Sequence, residues 1–289
     1  MLNIYVIGCG GIGGYLINML PMCICSLSLD LMQKVASHKV QDILKNTDSM
    51  DMPLCADRIV LVDGDTFDPR NAIRQGHGAG NKLVQRMREL DSNMLRRTLL
   101  RTLDIRGYNA YVNPDNMRDI IPEMPEPNEN NTEAHQYFAG KLYNNNVIFL
   151  CVDNAKTRYE ISMYAETLPD VIVINGGNEK TVGHVTVYER RNNEAYDPNL
   201  PEIYSDIRGD VDKRPDEQAC ELVAPKHDQI AVTNSIVANV MMAMFNKWAR
   251  SGVPTNKRDQ RLNEVLIDTE NFVMTPLAHP KATKEEGKC

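Results

Sequence analysis

The sequence predicts a doubly wound α/β fold: a mainly parallel sheet flanked by helices, with antiparallel strands added towards the C-terminus. Short apolar runs recur at Ile4–Ile7, Ile59–Val62, Val147–Val152 and Val171–Ile174, as parallel strands covered on both faces require. Helical patterns separate them, the signature of alternating α/β units. Each run ends in polar or glycine residues: Gly8, Asp63-Gly64-Asp65, Asp153-Asn154 and Asn175-Gly176-Gly177. Sheets of this kind bind ligands at those carboxyl ends.

Taken in order, Leu2 and Ile4–Ile7 form a first strand stopped by glycine. Gly8-Cys9-Gly10-Gly11-Ile12-Gly13-Gly14 follows and opens a helix running to Leu20, which Pro21 ends or kinks. Ser26–Asp57 is an irregular insertion (residues 26–57), longer than a simple connection needs. After the strand at Ile59–Val62, a helix over Asn81–Leu90 continues with interruption to about Leu103, and a third strand is expected at Tyr108–Val112. Residues 113–146, rich in Pro, Asn and Glu, form an exposed insertion. The strands at Val147–Val152 and Val171–Ile174 follow, then Val185–Tyr188, whose alternation marks an antiparallel strand. Residues 190–225 cross the surface before a helix from about Gln229 to Arg250, with Val237, Val240, Met241, Met244 and Phe245 on its buried face. Thr275–Cys289 is a polar tail expected to fray. One domain, residues 1–289, holds all of this.

Composition narrows the function. The 289 residues carry 32 Lys+Arg against 39 Asp+Glu, a net charge of −7, which argues against general electrostatic binding of nucleic acid. Leu16–Leu31 is broken by Asn18, Pro21 and Asp30, and Ile236–Phe245 is short, so no membrane span is expected. Met1-Leu2-Asn3 has no basic leader region, and a cytoplasmic location is expected. The seven cysteines form no C-x-x-C pair, which removes a disulfide framework and a four-cysteine zinc site.

Gly8-x-Gly10-x-x-Gly13 between a strand and a helix suits a phosphate: backbone approaches closely, and the helix N-terminus favours negative charge. A merely tight turn is the alternative, and the extra Gly11 leaves the nucleotide unspecified. Asp63, ending the second strand, is placed to accept hydrogen bonds from ribose hydroxyls. Its distance from Gly13 exceeds the about 20 residues of the simple dinucleotide motif, an excess that residues 26–57 supply. His77, among Gly76, Gly78 and Gly80, marks either a phosphate-side loop or a plain linker. The arginines between Arg86 and Arg106 read as a solvated helix face.

The run from Asp63 to Gln75 resembles the D-x-D-x(5)-N-x-x-R-Q signature of the ThiF/MoeB/HesA family, relatives of ubiquitin-activating enzymes, through Asp63, Asp65, Asn71, Arg74 and Gln75. Three more features agree in order: the glycine turn, Lys82 at a helix start, and Asp153-Asn154-Ala155-Lys156-Thr157-Arg158, which is similar to the family's D-N-x-x-x-R run. Residues 190–249 and 264–276 look most like the PRTRC-type members of mobile elements and phages. The resemblance implies a Rossmann-like fold and ATP-dependent adenylation of the C-terminal carboxylate of a small ubiquitin-like or sulfur-carrier protein ending in glycine. Gly8, Gly10, Gly11 and Gly13 would then cradle ATP, Asp63 would hold the ribose, and Arg74 and Lys82 would neutralise phosphate charge. Asn71 and Gln75 would supply neutral contacts, Asp65 would brace the loop, and Arg158 would order the helix after Asp153. Asp153 would bind Mg²⁺, which takes one or two carboxylates together with phosphate oxygens.

The family also implies a homodimer, often with an N-terminal arginine reaching the partner's site; here the first strand starts near Met1, so that arginine is expected to be absent or supplied from elsewhere. Zinc-bearing members carry two C-x-x-C pairs that this chain lacks, so no structural zinc is expected. Cys220 is the candidate nucleophile for a following thioester or sulfur transfer, although Glu217 and Glu221 beside it disfavour a thiolate. Two other readings use the same turn. A nicotinamide-dependent oxidoreductase leaves Arg74, Lys82 and Asp153 without a joint role. A catalytically inactive adaptor binding a ubiquitin-like partner would be expected to lose them.

Overall fold

The computed structural model describes residues 2–35, 54–69, 72–98, 100–123, 145–208, 230–253, 255 and 260–281. Their strands form one nine-stranded sheet in the order β3-β2-β1-β4-β5-β6-β8-β9, with β7 paired to β6. The parallel part comprises β1 (Leu2–Ile7), β2 (Ala56–Val62), β3 (Asp104–Tyr108), β4 (Asn145–Leu150) and β5 (Val171–Asn178). Antiparallel pairing then adds β6 (Val182–Arg191), β7 (Glu194–Ala195), β8 (Glu264–Asp268) and β9 (Val273–Leu277). This is the fold class that the sequence predicts.

The apolar runs become the inner strands because they are buried on both faces. Every residue of β1 and β2 is buried. One face packs α1 (Gly11–Val35) and α8 (Ala231–Ser251) through Ile4, Val6, Leu16, Leu20, Met241 and Phe245. The other face collects Tyr5, Ile7, Val60, Ile148 and Leu150 against α6 (Ala155–Ala165) and the short helix α5 (Met117–Ile120). Between β2 and β3 lie α2 (Ala72–Gln75), α3 (Lys82–Ser92) and α4 (Met94–Thr98). After β7 come α7 (Leu200–Ile203) and a 3₁₀ turn (Ser205–Arg208).

Several sequence expectations change. Of the exposed insertion expected at residues 113–146, the described start carries α5 with Met117 and Ile120 buried, and the rest lies outside the described residues apart from the start of β4. The surface crossing expected at residues 190–225 carries β7, α7 and the 3₁₀ turn over its described part, with Asp197 and Leu200 buried. The first helix does not stop at Pro21 but runs to Val35 with the proline inside it. An internal proline costs about 3 kcal/mol, and burying Ile24, Leu27 and Met32 beyond it completely returns about 1.5–3 kcal/mol each. The insertion expected at residues 26–57 is therefore helical over its first part. The stretch Gly11–Asp30 is long and apolar enough to cross a membrane, with a mean hydropathy of 1.6 despite its polar interruptions, and 67% of it is buried within the fold. The third strand is Asp104–Tyr108 rather than Tyr108–Val112: it carries no apolar run because it lies at the sheet edge, none of its residues fully buried. Finally, the tail expected to fray begins as β9, which pairs Val273–Leu277 with β8.

At the antiparallel end, Arg261 closes a buried acidic pair. Its Nε donates to Asp197 at 2.8 Å and its guanidinium to Glu189 at 2.5 Å, while Trp248 donates to Glu189 at 2.8 Å. Burial pushes the Asp197 carboxyl up; Glu189, though buried, is held down by Trp248 and the arginines. Arg261→Met is expected to cost about 3–5 kcal/mol in urea unfolding, because it leaves the buried Asp197 carboxylate without a cation and Glu189 with Arg191 alone.

Candidate active site

The strand order reverses beside β1, between β2 and β4, which is where open α/β sheets form their binding crevice. The glycine turn lies there. Gly8 has φ +94°, and a Cβ on it would lie 2.8 Å from the Cys151 carbonyl carbon. A Cβ on Gly13 would lie 1.9 Å from the Gly8 carbonyl oxygen. These two glycines let α1 start directly against the ends of β1 and β4. Gly10 faces polar groups instead: a Cβ there would come 3.7 Å from Gln75 Nε2 and 3.9 Å from Lys82 Nζ.

Asp63 ties this turn to the end of β2. Its two carboxylate oxygens accept from the Cys9 amide at 2.6 Å and the Asp65 amide at 2.8 Å. Burial pushes its carboxyl above the usual range, against the pull of Lys82 and both amides. Asp65 sits one step outward, accepting from Lys82 Nζ at 2.9 Å and from the Tyr111 hydroxyl. Lys82 begins α3, with Asn81 as its N-cap. Burial opposes its charge, but Asp63 and Asp65, with help from Asp153, raise its pKa. The ammonium is therefore charged, half enclosed and beside Gly10.

Three site features escape the sequence reading. Arg86, expected on a solvated face, is only 4% exposed. It donates to the Cys9 carbonyl at 3.2 Å, the Gln75 carbonyl at 3.1 Å and Glu89 at 2.7 Å, and its guanidinium lies 5.4 Å from the centre of the Phe67 ring. It locks α2 and α3 to the glycine turn. Arg88, Arg97, Arg101 and Arg106 are exposed as expected. His77 pairs with Glu89 and packs on Phe67 at 4.9 Å between ring centres, so it anchors the loop between α2 and α3. Asn234, on α8, is fully buried with neither amide atom partnered among the described residues, and it lies against Gly11. Gln75 Oε1 is likewise buried without a partner. In sequence nothing sets Asn234 apart from the other polar residues of this helix, among them Thr233, Ser235 and Asn239.

On the other side of β1, Asp153 follows β4 with its carboxylate exposed. Asn154 caps α6, accepting from the Thr157 amide at 2.8 Å. Arg158 turns inward, bonding the Val152 carbonyl and Asn175 Oδ1 at 2.5 Å each and the Gly176 carbonyl at 3.1 Å. Asp153 also stands at the end of a cavity of about 870 Å³ that runs over β6 to the β8–β9 hairpin. His184 lies in that cavity, its ring 5.3 Å from the Tyr204 ring. Burial, aided by Arg158, pulls its pKa down to about 4. The Cys9 and Cys151 thiols are buried and pushed upward, Cys151 to about 12, so both are inert packing groups.

Gly8, Gly10, Gly11, Gly13, Asp63, Asp65, Gln75, Lys82 and Asp153 thus surround one crevice. Arg74 lies on α2 by its backbone, with its side chain outside the described residues; Asn71 and Cys220 are outside them altogether. No cluster of three or more His, Cys, Asp or Glu suited to hold a metal occurs among the described residues.

The ThiF family profile matches residues 1–287. The chain belongs to the ThiF family. Solved structures agree in fold at low identity. E. coli MccB with ATP superposes with a TM-score of 0.54 at 14% identity, over 96% of this chain and 63% of that one. The Microcin C7 biosynthetic enzyme MccB in complex with N-formylated MccA gives 0.54 at 13%, over 96% and 64%. PaaA gives 0.53 at 13%, over 96% and 64%. This ThiF-family chain therefore spans less than two thirds of the length of these structures. No curated protein sequence matches it.

The buried histidine sets a pH dependence. As pH falls below the ordinary value of 6.5, the unfolded chain takes up a proton that His184 refuses until about pH 4. Stability contributed by neutral His184 is therefore full above pH 6.5 and is lost on acidification, by at most about 1.4 kcal/mol per pH unit across that window. His184→Phe is expected to flatten thermal stability against pH between 6.5 and 4, measured by calorimetry.

Proposed function

We propose that this chain is an ATP-dependent adenylyltransferase that activates the C-terminal carboxylate of a peptide or small protein. A single observation carries the reading. A glycine turn, a buried acid and a charged lysine converge at the switch point, and an exposed carboxylate with a large cavity stands immediately beside them. MccB, similar in fold, has been solved with ATP and with MccA. The finer form of the proposal is a ubiquitin-like or sulfur-carrier substrate ending in glycine, a homodimer, a cytoplasmic location and kinship with the PRTRC-type members.

The chemistry suits the groups present. A substrate carboxylate oxygen forms a bond to the α-phosphorus, and the bond from that phosphorus to the bridging oxygen of the β-phosphate breaks. The products are an acyl-adenylate and pyrophosphate. A carboxylate is already a nucleophile at neutral pH, so the site needs alignment and charge neutralisation rather than a general base. The α1 N-terminus and Lys82 supply positive potential to the phosphates. Asp63 retains lone pairs for a ribose hydroxyl beyond the two amides it accepts. The unpartnered Gln75 Oε1 and the Asn234 amide supply donor and acceptor capacity where the turn meets the nucleotide. Arg74 and Asn71 enter through the family motif. Cys220 remains the candidate for a subsequent transfer.

The donor chemistry also fits magnesium. Asp153 offers one exposed carboxylate at the strand end, and Mg²⁺ needs little more from protein when phosphates and water complete its shell. Bound there, it would neutralise developing charge on the phosphates.

ATP–pyrophosphate exchange in the presence of a cognate carboxylate substrate tests the reading. Asp153→Ala and Lys82→Met are each expected to lower the exchange rate by about 10²-fold or more. Robust exchange by Asp153→Ala removes the metal assignment, and NAD binding without ATP binding removes the whole proposal. Asn234→Leu is expected to leave the unliganded protein as stable or more stable, since it deletes unsatisfied buried atoms worth about 1–3 kcal/mol. The same substitution should shrink the thermal stabilisation by ATP. An undiminished ATP shift would show that the Asn234 amide does not meet the nucleotide.

A further inference from the structure

Resting on the adenylation reading, we propose that the cavity beside Asp153 selects substrates whose residues just before the C-terminus carry large apolar side chains flanked by Lys or Arg. The cavity is contiguous with the reacting position, because Asp153 lines its end. A terminal carboxylate directed at the α-phosphate leaves the preceding residues over β6, inside the cavity. Its volume, about 870 Å³, is at the upper end of small-ligand pockets and exceeds what a bare diglycine tail fills.

The walls set the chemistry of the occupant. Val182, Leu200, Ile207, Leu266 and Val273 line it, and Leu266, Val182 and Val273 leave 40%, 44% and 49% of their surface exposed. His184, in the floor, is neutral at physiological pH and packs its ring at a tilt against Tyr204. These surfaces gain from covering by apolar side chains. The charges lining the same space are mostly acidic: Glu179, Asp206 and Asp268 join Asp153. The cation among them, Arg158, spends its guanidinium on the Val152 and Gly176 carbonyls and Asn175. A basic apolar segment is complementary to both features, whereas an acidic segment meets like charge.

The test uses the full chain with ATP and three fluorescein-labelled heptapeptides, all ending in a free glycine carboxylate. One carries Leu and Phe between lysines, the second has Ser in place of Leu and Phe, and the third has Glu in place of Lys. Anisotropy is expected to show the first binding at least tenfold tighter than the others, with a matching tenfold advantage in KM for pyrophosphate exchange. Val182→Asp with Leu266→Asp replaces two partly exposed side chains, so the fold is retained; it should abolish the apolar preference and leave ATP affinity unchanged. Glu179→Lys with Asp206→Lys should reverse the preference between the lysine and glutamate peptides. Equal binding of all three peptides, no binding of any, or unchanged preference in both double variants overturns the cavity assignment. Exchange at equal KM for all three overturns the cavity and keeps adenylation. Selective binding without exchange keeps the cavity and overturns adenylation.

Discussion

The crevice depends on one desolvated carboxylate. Asp63 costs free energy to ionise where it sits, and three groups offset that cost: two backbone amides and the nearby Lys82 ammonium. Each of those groups is fixed in return. The Cys9 amide belongs to the glycine turn, the Asp65 amide to the loop after β2, and Lys82 to the start of α3. Charging one buried acid therefore sets three chain segments in a single arrangement. A site built in this way is organised before any ligand arrives, the condition under which electrostatic groups act on a reaction without reorganising.

Arg86 completes the arrangement from behind. Its guanidinium occupies the space that Gly14 leaves, where a Cβ would come within 2.3 Å of it, and it bonds carbonyls on both sides of the crevice. Glu89, though partly buried, is held below the usual carboxylate range by Arg86 and His77, so α3 carries its own counter-charge inward. The glycine at position 14, outside the phosphate motif proper, thus serves a cation rather than a phosphate.

The inner strands, the glycine turn and the acidic strand ends were legible because each has a local signature: an apolar run, a missing Cβ, a polar stop. Asp63 and Lys82 were legible through an ordered motif. What was not legible depends on partners distant in the chain. Arg86 looks like any helical arginine until Gly14 opens a space for it. Asn234 looks like any polar residue of an amphipathic helix until α8 meets Gly11. Pro21 looks like a helix stop until the face beyond it packs on α8. The edge strand β3 and the hairpin strand β9 carry half-exposed residues, so neither shows the apolar run by which the inner strands are recognised.

The net charge of −7 shows on both sides of this crevice. On the glycine-turn side Lys82 and the α1 N-terminus are set against Asp63 and Asp65, while Asp153, Glu179, Asp206 and Asp268 line the cavity on the far side. Lys82, whose ammonium lies beside Gly10, and Asp153 are close enough for the carboxylate to raise the lysine's pKa. The polarity of the sheet creates that arrangement: the turn after β1 presents its amides, the turn after β4 presents the Asp153 carboxylate, and the reversal of strand order puts them side by side.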